Sequence, residues 1–201
     1  MSVALRVLAL VLAAAWGAAV AATPAPAPLP ADSVYQLPLQ LTGQDGRTWP
    51  WARLRGTPRV VAMFYASCQY MCPLIIDGAR GVERGLTPAQ QQRVGFVLLS
   101  MDPRRDTPAA LQALAAKRRL AAPRWLLAAP AQADVRKLAG VLGIRYRALA
   151  DGEFNHTSEL ILLDADGRIV ARTEQVGARV DPAFLAAVRR AATPAPKRGT
   201  R

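Results

Sequence analysis

Apolar and polar positions alternate over residues 37–41 and then give way to Gly43-Gln44-Asp45-Gly46, a cluster of turn formers, so the pattern predicts a β-hairpin. Residues 59–65 (Arg59-Val60-Val61-Ala62-Met63-Phe64-Tyr65) are nearly continuous in apolar, β-favouring side chains. Such a run suits a central strand covered on both faces. Pro73, just beyond, fits the first turn of a helix reaching about Arg84. Residues 94–99 form a second apolar strand. Thr107 before Pro108 reads as the cap of another helix, apolar at Leu111, Leu114 and Ala115 and ending near Arg119. Residues 125–127 give a third, short strand. The helix predicted over 132–142 places Val135, Leu138, Ala139 and Leu142 on one face, and Gly143 terminates it. Residues 159–163 and 168–172 flank Asp164-Ala165-Asp166-Gly167 as a second hairpin, and a final helix runs from Asp181 to about Ala192. This order predicts an α/β fold, a thioredoxin-like sandwich whose central mixed sheet is flanked by helices and preceded by an N-terminal β-hairpin.

The ends of the chain have a different texture. Arg6 precedes an uncharged apolar run over 7–19, and Ala19-Val20-Ala21 follows as a small-residue exit, so residues 1–21 read as a secretory signal. The apolar stretch falls short of the roughly 20 residues that span a bilayer, which favours cleavage over a retained membrane anchor. Residues 22–31 are a Pro/Ala-rich spacer and 193–201 a disordered basic tail. Between them, 32–192 is long enough for one domain with a full core, and no internal linker or repeat divides it. The expected location is periplasmic or otherwise exported.

The formal charge is +12, and 23 of the 26 basic residues are Arg. They are spread along the whole domain without an aromatic-interleaved stripe, and export removes the protein from nucleic acid, so nucleic acid is excluded as a partner. Anionic membrane surfaces and acidic proteins fit the charge better.

Only two cysteines and one histidine are present. Cys68 and Cys72 sit where the first central strand feeds a helix, and a helix N-terminus lowers thiol pKa through its free N–H groups and dipole. Such a pair either closes a disulfide or holds a soft metal. A ring this short restricts little unfolded-chain entropy, so a purely structural disulfide is weakly motivated. His156, in a loop before the 159–163 strand, faces the cysteine turn in a thioredoxin-like topology. Two thiolates and an imidazole suit Cu(I), with room for a further ligand on Cu(II), while zinc accepts the same donors plus a fourth.

Three blocks carry a family resemblance. Residues 64–73, with Cys68-Gln69-Tyr70-Met71-Cys72-Pro73, resemble the Cys-x-x-x-Cys-Pro motif of the Sco/SenC family. Residues 97–108, with Ser100-Met101-Asp102-Pro103-Arg104-Arg105-Asp106-Thr107-Pro108, resemble its second conserved segment, and Asn155-His156-Thr157-Ser158 its third. The blocks occur in the family's order. The resemblance implies a copper metallochaperone that delivers copper to, or prepares the cysteines of, the dinuclear copper centre of cytochrome c oxidase. It implies one copper ion per chain, Cu(I) or Cu(II), held by Cys68, Cys72 and His156. The implied partners are the oxidase copper-site subunit or another copper chaperone. Gln69 departs from the family, where Pro is common after the first cysteine.

The competing reading is a thiol-disulfide oxidoreductase acting through Cys68 and Cys72. Against it, the spacing exceeds Cys-x-x-Cys by one and no proline lies between Pro130 and Pro182 to serve opposite the thiols. Met71 and Met101 are read as core, Asp106 as a helix starter and Tyr70 as a surface aromatic. Asp102 divides evenly between a local backbone role and tuning of the site.

Overall fold

A computed structural model describes residues 27–193. The signal over 1–21, half of the spacer and nearly all of the basic tail lie outside the described residues. Strands β1 (Gln40–Gly43) and β2 (Thr48–Pro50) form the N-terminal hairpin, displaced toward the turn from the alternating stretch. Next come β3 (Arg59–Phe64), α1 (Met71–Arg84), a short α2 (Pro88–Gln91), β4 (Gly95–Ser100), α3 (Pro108–Arg118) and β5 (Trp125–Pro130). Then follow α4 (Val135–Leu142), a small hairpin of β6 (Tyr146–Ala148) and β7 (Phe154–His156), the hairpin β8 (Leu160–Leu163) and β9 (Ile169–Thr173), and α5 (Pro182–Ala191).

Seven strands make one mixed sheet in the order β2-β1-β5-β4-β3-β8-β9. β3, β4 and β5 are parallel, and the two hairpins add antiparallel flanks through β1–β5 and β3–β8. Every residue of β4 and all but the first of β3 are buried, as their unbroken apolar runs require of strands covered on both faces. This is the thioredoxin-like sandwich that the element order predicts.

Helix α1 buries Cys72, Ile75, Ile76, Ala79 and Val82 on one face. Two glycines let the segment before α5 cross it closely. A β-carbon on Gly78 would stand 3.3 Å from the Val176 and Gly177 backbone, and one on Gly81 only 2.5 Å from Val180 Cγ2. The N-terminal segment is clipped to the β8–β9 turn. Val34 N–H donates to Gly167 O (2.9 Å), Gly56 N–H to Ala165 O (2.7 Å), and Arg55 pairs with Asp166 at 2.9 Å. Among the described residues, no helix is long and apolar enough to cross a membrane.

Candidate metal site

Strand β3 ends at Phe64, and Tyr65 to Tyr70 carry the chain over the sheet's edge into α1. A buried carboxylate holds this crossing. Ala66 N–H donates to both oxygens of Asp106 (3.0 and 3.2 Å), and the Ser100 hydroxyl donates to Asp106 Oδ2 at 2.5 Å. Ser100 Oγ accepts in turn from the Asp102 N–H at 2.9 Å. Asp106 is therefore no helix starter. Thr107 caps α3, accepting from Ala110 N–H at 3.3 Å, while Asp106 ties the end of β4 to the start of the cysteine segment. The Asp102 side chain pairs with Arg105, a local role rather than a contact with the thiols.

At the N-terminus of α1, Tyr70 supplies no side-chain cap. The Cys68 sulfur fills that role, accepting the Cys72 N–H at 3.3 Å. Burial pushes the Cys68 thiol up, but hydrogen bonding to its sulfur, above all from the Cys72 backbone N–H, outweighs it and leaves the thiol below its ordinary value. Cys72 is its opposite. It is 3% exposed, and burial pushes its thiol well up, offset only in part by the Tyr65 N–H that donates to its sulfur at 3.5 Å. Both thiols are free. A half-buried, acidic thiol thus stands beside a buried, weakly acidic one.

His156 ends β7, opposite Tyr146 of β6. The loop expected at this position is a short strand, missed because three residues are too few to show a period. Its Nδ1 lies 3.0 Å from Thr157 O. A carbonyl only accepts, so Nδ1 carries the proton and Nε2 keeps its lone pair free for a metal. Burial pushes the imidazole below its ordinary pKa, so it is neutral at pH 7.

Cys68 and His156 line one cavity of about 320 Å³, together with Tyr65, Met71 and Phe154. The Tyr65 ring stacks edge-on at 5.1 Å from Phe154 and 6.1 Å from His156, and its hydroxyl donates to Glu153 Oε2 at 2.7 Å. Cys72 does not line this cavity; it is buried, and its N–H is bonded to the Cys68 sulfur. Among the described residues, no three His, Cys, Asp or Glu side chains stand close enough to hold one ion together. The fold therefore places two of the three predicted ligands in one cavity and leaves the third buried outside its lining.

Tyr70 is 83% exposed, as its reading as a surface aromatic requires, and Met101 is fully buried. Met71 departs from expectation: although it shares a helix face with Ile75, Gly78 and Val82, it is 41% exposed, because it is the first residue of α1 and stands at the open end of that face. Tyr65 and Glu153 are the site residues that sequence reasoning missed. The one available sign was a tyrosine closing an otherwise apolar strand.

The family model described as SCO1/SenC matches residues 29–192. No curated protein matches the chain in sequence. Among solved structures, copper-bound ScoI of Bradyrhizobium japonicum is 25% identical, with a TM-score of 0.64 over 76% of this chain and 96% of that one. A SCO1/SenC family lipoprotein of Bacillus anthracis is 23% identical, with a TM-score of 0.67 over 78% and 94%. Copper-bound ScoI of Arabidopsis thaliana, 16% identical, has a TM-score of 0.61 over 76% and 92%. With its three sequence blocks gathered around one thioredoxin-like sheet and the family model covering nearly all of the described residues, the chain belongs to the SCO1/SenC family.

Proposed function

We propose that this protein is an exported copper chaperone that holds one copper ion per chain through Cys68, Cys72 and His156. Its cargo would go to the dinuclear copper centre of a cytochrome c oxidase. The observation that carries the reading is the shared cavity, where an acidified thiol and an imidazole with a free Nε2 meet. Soft thiolate and borderline imidazole donors favour copper. The copper-bound Bradyrhizobium relative supports the same choice. Recruiting Cys72 takes a rotation of its side chain away from the Tyr65 N–H and loss of its proton to solvent.

The unequal thiols support a second activity, thiol-disulfide exchange with a partner. The Cys68 thiolate attacks a partner disulfide and releases one partner thiolate; Cys72 then loses its proton, attacks the Cys68 sulfur and releases the other. The partner gains two electrons and this chain leaves as the Cys68–Cys72 disulfide.

Competition with a Cu(I) chelator tests the chaperone reading. The reduced protein should take up one copper, and Cys68→Ser or Cys72→Ser should abolish tight binding, since one thiolate cannot hold Cu(I) against competing thiols. His156→Ala should weaken Cu(II) more than Cu(I), because Cu(II) prefers a tetragonal set that includes nitrogen. Undiminished Cu(I) binding in either serine variant would place the ligands elsewhere. An unchanged Cu(II) paramagnetic resonance spectrum would remove His156.

A further inference from the structure

Met71 is the first residue of α1, and at that open end of the helix it is 41% exposed while Cys72 beside it is buried. It stands with Tyr70 (83% exposed) and Leu74 (42%) in an apolar patch at the cysteine end of the fold. Its placement is more specific than that of a patch residue. Met71 and His156 both line the 320 Å³ cavity that holds Cys68, and both also line a wider adjoining cleft of about 670 Å³. A ligand entering from that cleft meets Met71 and His156 before it meets Cys68, and it reaches Cys72 last.

The chemistry of the mouth narrows what can enter. Arg145 and Arg147 line the cleft against a single carboxylate, Glu174. This excess of positive charge opposes a free hydrated cation and favours an ion carried in by a donor molecule. A thioether is neutral, soft and polarizable, binds Cu(I) without losing a proton, and yields it to a thiolate. We infer that Met71 is a transient ligand that takes Cu(I) at the mouth and passes it to Cys68 beside His156. The inference rests on copper being the cargo. In the transfer the bond from the donor's soft ligand to copper breaks as the bond from Met71 Sδ forms. The Cys68 thiolate then displaces the thioether, and a proton leaves Cys72 for solvent when that thiol joins. Copper stays Cu(I) throughout, and no electron moves.

The competing account makes Met71 only an apolar contact for a partner. Met71→Leu separates the two, since it keeps the apolar side chain and removes the sulfur. The experiment adds a Cu(I)-loaded chelator, anaerobically, to reduced protein carrying methyl-13C methionine. Met63 and Met101 are 1% and 0% exposed and serve as internal references. In Cys72→Ser, where the ion cannot complete its path, the Met71 methyl resonance should shift and the two references should stay still. With Cys72 present, Met71→Leu should slow Cu(I) uptake from a loaded chelator severalfold and leave the equilibrium affinity unchanged. An unmoved Met71 methyl, or an unchanged uptake rate, overturns the inference and leaves the chaperone reading standing. A parent protein that takes up no Cu(I) overturns both.

Discussion

Asp106 offers the sharpest test of how the site is held. The carboxylate is 2% exposed and Ser100 fully buried, and between them they fix the Ala66 N–H at the start of the cysteine segment. Asp106→Ala leaves the Ala66 N–H and the Ser100 hydroxyl without their acceptor. A buried donor stripped of its partner costs about 1–3 kcal/mol. Two donors, offset by relief from burying a charge, give a loss of about 3 kcal/mol. In a domain of this size that lowers Tm by roughly 6–12 °C. Asp106→Asn keeps an oxygen for Ala66 and sheds the charge, so its cost should stay within about 1 kcal/mol. The two variants also differ in pH dependence. Burial raises the Asp106 pKa, and the bonds from Ser100 and Ala66 pull it back only in part. The native state then holds its proton more tightly than the unfolded chain. Its contribution to stability is therefore greatest in acid and declines as pH rises from the ordinary carboxylate value through the raised one. Asp106→Asn should lack that decline. Urea unfolding across a pH series measures both effects. An alanine variant costing under about 1 kcal/mol, or an asparagine variant as unstable as the alanine one, would refute the tie.

The thiol asymmetry predicts that iodoacetamide modifies Cys68 first, with a pH midpoint below that of an ordinary thiol, while Cys72 resists until the protein unfolds. Peptide mapping of the alkylated protein reads this, and equal rates at the two positions would contradict it. At the α1 crossing, Gly81→Val should cost about 1–3 kcal/mol by overpacking against Val180, whose Cγ2 already lies 2.5 Å from where a β-carbon would stand. Val180→Ala added to that variant should restore much of the loss; urea midpoints that do not move would show the crossing to be loose.

Legibility followed the physical origin of each feature. β3, β4, α4 and the β8–β9 hairpin were readable because burial imposes a pattern on consecutive residues, as in Val60 to Phe64 or Val135 to Leu142. β6 and β7 escaped because Tyr-Arg-Ala and Phe-Asn-His are half exposed and too short to show a period. Cys68, Cys72 and His156 stood out by residue type alone. Their arrangement did not: the depth of Cys72, the exposure of Met71 and the Tyr65–Glu153 bond depend on chain segments far apart in sequence. Asp106 was misread for the same reason, since nothing near it in the chain announces that its partner is Ala66, forty residues earlier.

The clip between the N-terminal segment and the β8–β9 turn gives the molecule a polarity. Arg59 pairs with Leu163, so that turn lies at the start of β3, whereas Cys68 follows its end. Six strand residues separate the two poles by about 20 Å. Ala191, Ala192 and Thr193 line a hollow with Gly56, Thr57 and Pro58, which brings the last described residues to the N-terminal pole as well. The first and last described residues, Ala27 (against Arg55) and Thr193, therefore both lie on the side away from the thiols. Tethered by either end, to a bilayer or to a solid support, the domain would present Cys68 outward, with its mouth free to meet another protein.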